Sequence, residues 1–139
     1  MYQASDVMTP DVVTLAPETT VEQAMQTLLG QGVSGAPVVD DDGRLVGIIS
    51  EFRLLEIVFD PALRSLRVAD CMTEDVVTVE PSTLLAKVAH LMINHRIRRV
   101  PVVSFGQVVG IISRRDLLRY MLEENNSLSA AFDYMMALA

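Results

Sequence analysis

Apolar residues along this chain follow one spacing pattern twice. After Pro17 they recur at steps of three and four residues, and the same spacing returns after Pro81. Such spacing is typical of a helix that buries one face. The first stripe is Val21, Ala24, Met25, Leu28 and Leu29, and the second is Leu85, Val88, Ala89, Met92 and Ile93. Thr19 and Glu22 are expected to form a capping box at the start of the first helix.

Short runs rich in β-formers follow each predicted helix. They are residues 36–39 and 45–49 in the first copy of the pattern, and residues 100–103 and 108–112 in the second. The first pair is joined by Asp40-Asp41-Asp42-Gly43 and the second is joined around Gly106, and both connections have the composition of hairpin turns. A second helix is expected after each hairpin, near 51–59 and near 114–122. With a short strand ahead of the first helix, each copy reads β-α-β-β-α.

The two patterns are copies of one unit. Asp6-Val7-Met8-Thr9 recurs 64 residues later as Asp70-Cys71-Met72-Thr73, and Asp11-Val12-Val13-Thr14 recurs as Asp75-Val76-Val77-Thr78. Gly47-Ile48-Ile49-Ser50 recurs 63 residues later as Gly110-Ile111-Ile112-Ser113. The sequence therefore predicts an α/β chain with an internal repeat. Its segments are a first copy over 1–60, a connection over 61–66, a second copy over 67–123 and a tail over 124–139.

The C-terminal tail departs from the repeat. Its apolar residues recur at helical steps and predict an amphipathic helix, on which they are Leu128, Ala131, Phe132, Met135 and Met136. Two roles are open for this helix. It covers exposed apolar surface of its own chain, or its methionine-rich side packs on a partner subunit.

Composition narrows the function. Half of the residues are hydrophobic, 21% are charged and the net charge is −7, so the chain should fold and lacks a broad basic surface for duplex nucleic acid. The apolar runs are far shorter than the roughly 20 residues that span a bilayer, so no membrane insertion is expected. A single cysteine and the lack of a signal-peptide pattern predict a cytoplasmic protein.

Residues suited to metal binding or catalysis are few. His90 and His95 are the only histidines and are expected on the polar side of their helix, whereas Cys71 is expected in the core. The acidic turn 40–43 lacks the alternating ligands of a calcium loop. No nucleophile is paired with a general base. We therefore predict neither a metal site nor a catalytic residue, and an enzyme is the least favoured class.

Arginines distinguish the second copy from the first. Ser34-Gly35 becomes Arg98-Arg99, Glu51-Phe52 becomes Arg114-Arg115, and Arg53 becomes Asp116. With Arg96, five of the 11 basic residues thus lie beside strand ends and a helix start. Guanidinium groups and a helix start both favour phosphate, and a carboxylate can accept hydrogen bonds from a ribose. These residues form a candidate nucleotide site.

Structural roles for the same residues remain open. Ser113 and Asp116 have the S-x-x-D spacing of a capping box, and the arginines are equally suited to pairing with surface carboxylates. Val76 and Thr78 have the composition of ordinary strand residues, and Pro101 is suited to the start of a strand.

The repeated pattern as a whole resembles the tandem CBS domain, named after cystathionine β-synthase. The resemblance covers residues 4–122 and rests on the doubled M-T-x-D-V-V-T segment, the P-V-V hairpin and the G-I-I-S strand end. It implies two β-α-β-β-α repeats packed with pseudo-twofold symmetry, with two related clefts. It also implies a non-catalytic regulatory module that forms a homodimer and signals to an effector protein.

The family's ligand motif is G-h-h-[ST]-x-x-D, and residues 110–116 match it in full. The resemblance implies that Ser113 contacts phosphate and Asp116 contacts ribose, and that the adenine is held by Val76, Thr78, Val100 and Pro101. Our own candidates for phosphate contacts are Arg98, Arg99, Arg114 and Arg115. The implied ligand is AMP, ADP, ATP or S-adenosylmethionine. The alternative function is a ligand-independent dimerisation or assembly module.

The first copy departs from the motif, because Arg53 stands where the aspartate is expected. This cleft is then empty or used differently. A less favoured alternative is that Arg53 reaches phosphate across the cleft.

Overall fold

The chain is described by a computed structural model for residues 2–124 together with Asp133, Met136 and Ala137. It forms two compact units. The first unit consists of Val12–Val76 with Gly106–Val108, and the second of Met1–Asp11, Val77–Phe105 and Val109–Ala139. Each unit has its own buried apolar cluster. None of the helices among the described residues combines the length and apolar character needed to cross a bilayer.

The first unit contains most of the first repeat. Its helices are α1 (Val21–Gln31), α2 (Glu51–Val58) and the single-turn α3 (Val68–Cys71), and its strands are β1 (Gly35–Val39) and β2 (Leu45–Ser50). The strands are antiparallel, with Gly35 opposite Ser50 and Pro37 opposite Ile48. Gly43 closes the turn between them with a φ of 79°, a conformation that glycine adopts without strain. The predicted hairpin strands and helices of this copy are confirmed within one or two residues.

The second unit repeats this arrangement with α4 (Leu85–His95), β3 (Arg99–Ser104), β4 (Gln107–Ser113) and α5 (Arg114–Glu124). The strands form a two-stranded sheet. Both residues of the turn, Phe105 and Gly106, have positive φ, at 52° and 83°, as a type I′ hairpin requires. The mixed helix and strand content predicted for both copies is therefore confirmed.

The short strand expected ahead of the first helix is reduced to a single bridge in each copy. Leu15 bridges Val38, and Val79 bridges Val102, both in the parallel sense. A proline follows each bridging residue by two positions, at Pro17 and Pro81. Because proline has no backbone N–H, the ladder cannot continue past it.

The opening segment of each copy packs in the unit that holds the other copy's helices. Backbone nitrogens of Ala4 and Ser5 donate to carbonyl oxygens of Thr83 and Pro81, at 2.8 and 3.0 Å. Those of Val68 and Ala69 donate to Thr19 and Pro17 in the same way, at 2.7 and 2.9 Å. Ala4 is fully buried in the second cluster, and Val68 and Cys71 are buried in the first. The compact units are therefore made by exchange of these segments, so they do not follow the boundaries of the sequence repeat.

The buried faces of α1 and α4 agree with the predicted stripes, with two exceptions at equivalent positions. Leu28 and Met92 are buried, but the next residue in each stripe, Leu29 or Ile93, is 77% or 56% exposed. Pairs at adjacent positions point about 100° apart on a helix, so the buried stripe is narrower than the apolar one. Burial in the core of the chain therefore does not explain why Leu29 and Ile93 are apolar.

The capping box of α1 lies one residue further along than predicted. Thr20 Oγ1 accepts from the backbone nitrogen of Gln23 at 3.2 Å, and Gln23 Oε1 accepts from that of Thr20 at 3.0 Å. Thr20 has the extended backbone of a cap residue and directly precedes Val21, the first residue of α1, whereas Thr19 lies one residue further from the helix. The amphipathic tail predicted over 124–139 lies almost entirely outside the described residues.

Candidate functional site

The residues at the start of α5 form a reciprocal capping box. The hydroxyl oxygen of Ser113 accepts from the backbone nitrogen of Asp116 at 3.1 Å, and Asp116 Oδ2 accepts from the backbone nitrogen of Ser113 at 2.8 Å. The structural role left open for this S-x-x-D pair is therefore present. It is built by the last residue of β4 and the first turn of the helix.

Capping leaves both side chains with hydrogen-bonding capacity. A serine hydroxyl that accepts one bond retains its own proton for donation, and a carboxylate has a second oxygen. Asp116 Oδ1 lies 3.5 Å from an Arg119 nitrogen, and the Asp116 side chain is 20% exposed. Arg119 was not singled out by the sequence, although its spacing of three from Asp116 on a helix is the signal that identifies such a pair. Ser113 and Asp116 thus place a hydrogen-bond donor and an acceptor side by side at the start of α5.

The strand edge of the candidate site is assembled from β3 and the segment before α4. The carbonyl oxygen of Pro101 accepts from the backbone nitrogen of Val79 at 3.1 Å, so Thr78 lies one residue from that contact. The carbonyl oxygen of Arg98 accepts from the backbone nitrogen of Arg114 at 2.9 Å. Val100 and Pro101 are buried, whereas Thr78 is exposed. The structure thus brings the start of β3 against the start of α5.

The four arginines predicted to contact phosphate differ in their hydrogen bonds and in their exposure. Arg114 Nε donates to the carbonyl oxygen of Ile97 at 3.1 Å, and Arg114 lines a groove between α4 and α5 together with Arg96. Arg99 is half-buried in β3, whereas Arg98 and Arg115 are exposed. Val76 belongs to the first unit, whereas the other predicted site residues belong to the second.

The matching helix start in the first copy holds half of the box. Ser50 Oγ accepts from the backbone nitrogen of Arg53 at 3.3 Å. The Arg53 side chain instead donates to the carbonyl oxygen of Cys71 at 3.1 Å and lies 3.7 Å from Glu56. A guanidinium that donates to the Cys71 carbonyl oxygen thus stands where the second copy has a carboxylate acceptor. The two helix starts are therefore chemically different.

Cys71, His90 and His95 are the remaining residues whose side chains are suited to metal binding or nucleophilic chemistry. Cys71 is buried, as predicted, and burial raises the pKa of its thiol against the opposing effect of Arg53. His95 is exposed, but His90 is half-buried and its Nδ1 lies 3.0 Å from Met136 Sδ, a contact that the sequence does not predict. Among the described residues, no three His, Cys, Asp or Glu side chains gather as metal ligands.

Comparison with known proteins identifies the architecture. The family model for the CBS domain matches residues 4–60 and 68–123. An uncharacterized protein of Methanocaldococcus jannaschii, MJ1225, is 33% identical over 116 residues, which cover 84% of this chain and 41% of that protein. The chain therefore spans less than half the length of this relative.

Solved structures agree with this match. CBSX2 of Arabidopsis thaliana in complex with AMP has a TM-score of 0.83 at 32% identity, covering 91% of this chain and 100% of that one. The CBS domain pair of protein MJ0100 in complex with 5′-methylthioadenosine and S-adenosyl-L-methionine has a TM-score of 0.81 at 25% identity, covering 90% and 99%. With two matched repeats that account for most of its length, the chain belongs to the CBS domain family as a tandem pair.

Proposed function

We propose that this chain is a non-catalytic regulatory module that binds an adenine nucleotide or another adenosyl compound at the second repeat. The observation that carries the proposal is the start of α5. There the Ser113 hydroxyl and the Asp116 carboxylate are held by each other's backbone and keep one donor and one acceptor for a ligand. The AMP complex of CBSX2, a relative of the same architecture, supports this chemistry.

The predicted site residues of the second unit each have a part in the proposed complex. The Ser113 hydroxyl donates to phosphate, and Asp116 accepts from the ribose hydroxyls. The buried Val100-Pro101 edge and the exposed Thr78, beside the Val79 bond to Pro101, hold the adenine. Arg98, Arg99 and Arg115 neutralise phosphate, with Arg114 beside them. Because Arg114 already bonds the Ile97 carbonyl through Nε, we assign it a weaker contribution than the exposed Arg98 and Arg115.

The proposed output is a shift between two states of the module that an effector protein distinguishes. A ligand moves such an equilibrium only by its differential affinity for the two states. The half-buried acceptor at Asp116 is available to every adenosyl ligand, whereas the arginines give AMP, ATP and phosphate-free adenosyl ligands different contacts. We therefore expect the module to respond to the number of phosphate groups that the bound ligand carries.

Calorimetric titration with AMP, ADP, ATP and S-adenosylmethionine tests the site. We expect Ser113→Ala and Asp116→Ala to weaken nucleotide binding by about tenfold or more, the cost of one hydrogen bond to a charged group. Ser50→Ala is the matched control, because it removes the equivalent capping hydroxyl from α2 and should leave binding unchanged. Equal loss in both serine variants, or no binding by the unmodified chain at millimolar ligand, overturns the proposal.

A second titration separates phosphate contacts from adenosine contacts. Arg98→Gln and Arg115→Gln should weaken AMP and ATP but leave adenosine unaffected, because adenosine carries no charged group. Arg64→Gln, an exposed arginine of the connection, is the control. Equal weakening of AMP, ATP and adenosine would contradict a phosphate role.

A separate observation favours self-association, the assembly function that needs no ligand. Phe52, Leu55 and Phe59 lie on one side of α2 at helical spacing and are 71%, 57% and 81% exposed. Large exposed apolar side chains in a row are typical of an interface. We propose that this side of α2 joins two copies of the chain in a homodimer. Light scattering should show a smaller mass for Leu55→Glu, with nucleotide affinity retained if assembly and binding are separate.

A further inference from the structure

The two copies expose apolar side chains at equivalent positions of their helices. We call these surfaces the first and second helix faces. The first helix face comprises Leu29 of α1 with Leu55 and Phe59 of α2, and the second comprises Ile93 of α4 with Leu118 and Leu122 of α5. All of these side chains are more than half exposed. Exposed apolar residues that recur along a helix are typical of an interface with another protein molecule.

The shapes of the two helix faces differ. Ile93 and Leu118 line an open groove of about 630 Å³ between α4 and α5. The first helix face carries an aromatic ring at Phe59, where α5 has Leu122. Phe52, three and seven residues before Leu55 and Phe59, adds a second exposed ring on the same side of α2. Projecting rings fit a groove, because each ring that is buried removes a large apolar area from water.

Carboxylates border the first helix face. On α2, Glu51 precedes Leu55 by four residues and Glu56 follows Phe52 by four, so both lie beside the exposed apolar residues. Both glutamates are exposed. Arg53 lies 3.7 Å from Glu56, but it is also held by a backbone carbonyl, and an exposed pair of this kind is weak. The border of the first helix face on α2 is therefore acidic.

Guanidinium groups border the second helix face. Arg114 and Arg119 stand where α2 has Glu51 and Glu56, and both arginines are exposed. Arg96 joins Arg114 in lining the groove. A carboxylate of α5 lies 3.5 Å from Arg119, whose side chain is 62% exposed and keeps further N–H groups for a second partner. Charges of opposite sign thus border the two faces at the same two helix positions.

We propose that the first helix face of one copy packs against the second helix face of another copy. The proposal rests on the homodimer proposed above and specifies which surfaces meet in it. Like faces would bring carboxylate to carboxylate and guanidinium to guanidinium, which disfavours association, whereas unlike faces bring carboxylates to guanidinium groups. In a closed twofold dimer the contact occurs twice, with the roles of the copies reversed. Leu29 and Ile93 are then apolar because the dimer covers them.

Cross-linking between chains that each carry one thiol tests which faces meet. Leu55→Cys and Leu118→Cys occupy equivalent positions of the two faces, and each is combined with Cys71→Val, the residue that the first copy has there. We expect a short bismaleimide to link the mixed variants about tenfold or more faster than either variant alone, because thiols that face each other have a high effective concentration. Light scattering confirms that both variants still associate.

The matched control mixes Leu118→Cys with Asp41→Cys, an exposed residue of the turn between β1 and β2, and should link slowly. Fast linking of Leu55→Cys with itself and of Leu118→Cys with itself would show that like faces pair, which overturns the proposal. Equal rates in the mixture and in the control would also overturn it.

Exchange of charge measures the electrostatic contribution. Glu56→Arg and Arg119→Glu each bring like charges together twice per dimer, so each should weaken self-association by about tenfold at low salt. A mixture of the two variants should associate about as tightly as the unmodified chain, because one contact keeps the original pair and the other has it reversed. Asp41→Arg, a similar change of charge in the β1–β2 turn, is the control and should change self-association by less than about twofold.

Sedimentation equilibrium distinguishes failure of this pairing from failure of the homodimer. An unmodified chain that stays monomeric at the highest concentration overturns both proposals. A dimeric chain whose self-association is unchanged by Glu56→Arg and by Arg119→Glu overturns only the pairing of unlike faces, since like faces already bring like charges together. Assemblies whose mass keeps growing with concentration would overturn the closed dimer.

Discussion

The two copies share their scaffold and differ where chemistry is possible. Backbone hydrogen bonds from the opening segments recur at matching positions, as in the pairs Ala4 to Thr83 and Val68 to Thr19. At the helix starts the same backbone presents unlike side chains, a carboxylate at Asp116 and a guanidinium at Arg53. Duplication thus separates the backbone contacts that both copies share from the side chains in which the two helix starts differ.

The largest expected effects concern equivalent positions in the two buried clusters. Leu28 and Met92 occupy equivalent positions and are 2% and 4% exposed. Leu28→Ala and Met92→Ala should each lower the free energy of unfolding by about 3 kcal/mol, through lost burial and the cavity left behind. Chemical denaturation measures both. Gln26→Ala, on the exposed side of α1, is the control and should change it by less than about 0.5 kcal/mol.

The glycines of β2 and β4 have matching close contacts. A methyl group at Gly47 would lie 2.8 Å from Met72 Cγ and 3.0 Å from the Thr73 carbonyl oxygen, and at Gly110 it would lie 2.8 Å from Met8 Cγ and 2.9 Å from Met8 Cβ. We expect Gly47→Ala and Gly110→Ala each to cost about 2 kcal/mol.

The matched control is Gly30→Ala, because nothing lies within 4 Å of that position in α1. It should stabilise by about 1 kcal/mol through helix propensity. Thermal denaturation measures all three variants, and a cost at only one of Gly47 and Gly110 would contradict the equivalence of the two strands.

The helix caps separate structural from ligand roles. Without nucleotide, Ser50→Ala and Ser113→Ala should each cost about 1 kcal/mol of stability, since each removes one capping acceptor. Asp116→Ala should cost a further loss of about the same size in the second copy alone, where the box is reciprocal. Thermal denaturation in the absence of ligand is the measurement. An unaltered stability of Asp116→Ala would show that its carboxylate does not cap the helix.

The smallest effect concerns Cys71, whose counterpart in the first copy is Val7. Burial raises the pKa of the Cys71 thiol in the folded chain. Above the ordinary thiol pKa of about 8.5, the folded state therefore binds more protons than the unfolded state, and stability falls as pH rises. The decline should be less than about 1.4 kcal/mol per pH unit. Denaturation of Cys71→Val between about pH 8 and pH 9.5 should show a flatter dependence.

The sequence alone determined the repeat and the order of the main helices and hairpin strands, and it identified the residues of the candidate site. Helix and strand periodicity and turn composition are local properties, so α1, α4 and both hairpins were predicted within a few residues. The arginines that distinguish the second copy from the first could also be identified from the sequence. The residue ranges of the repeats and the roles of the site residues stay predictions.

Only the tertiary structure decided where segments and side chains go. The exchange of opening segments could not be predicted, because the two copies are so alike at 4–9 and 68–73 that either could pack with either partner. The same holds for Leu29 and Ile93, apolar yet exposed, and for Arg114, which turns to the Ile97 carbonyl. Such outcomes depend on which surfaces meet across long separations in the chain. Local spacing carries no information on that choice.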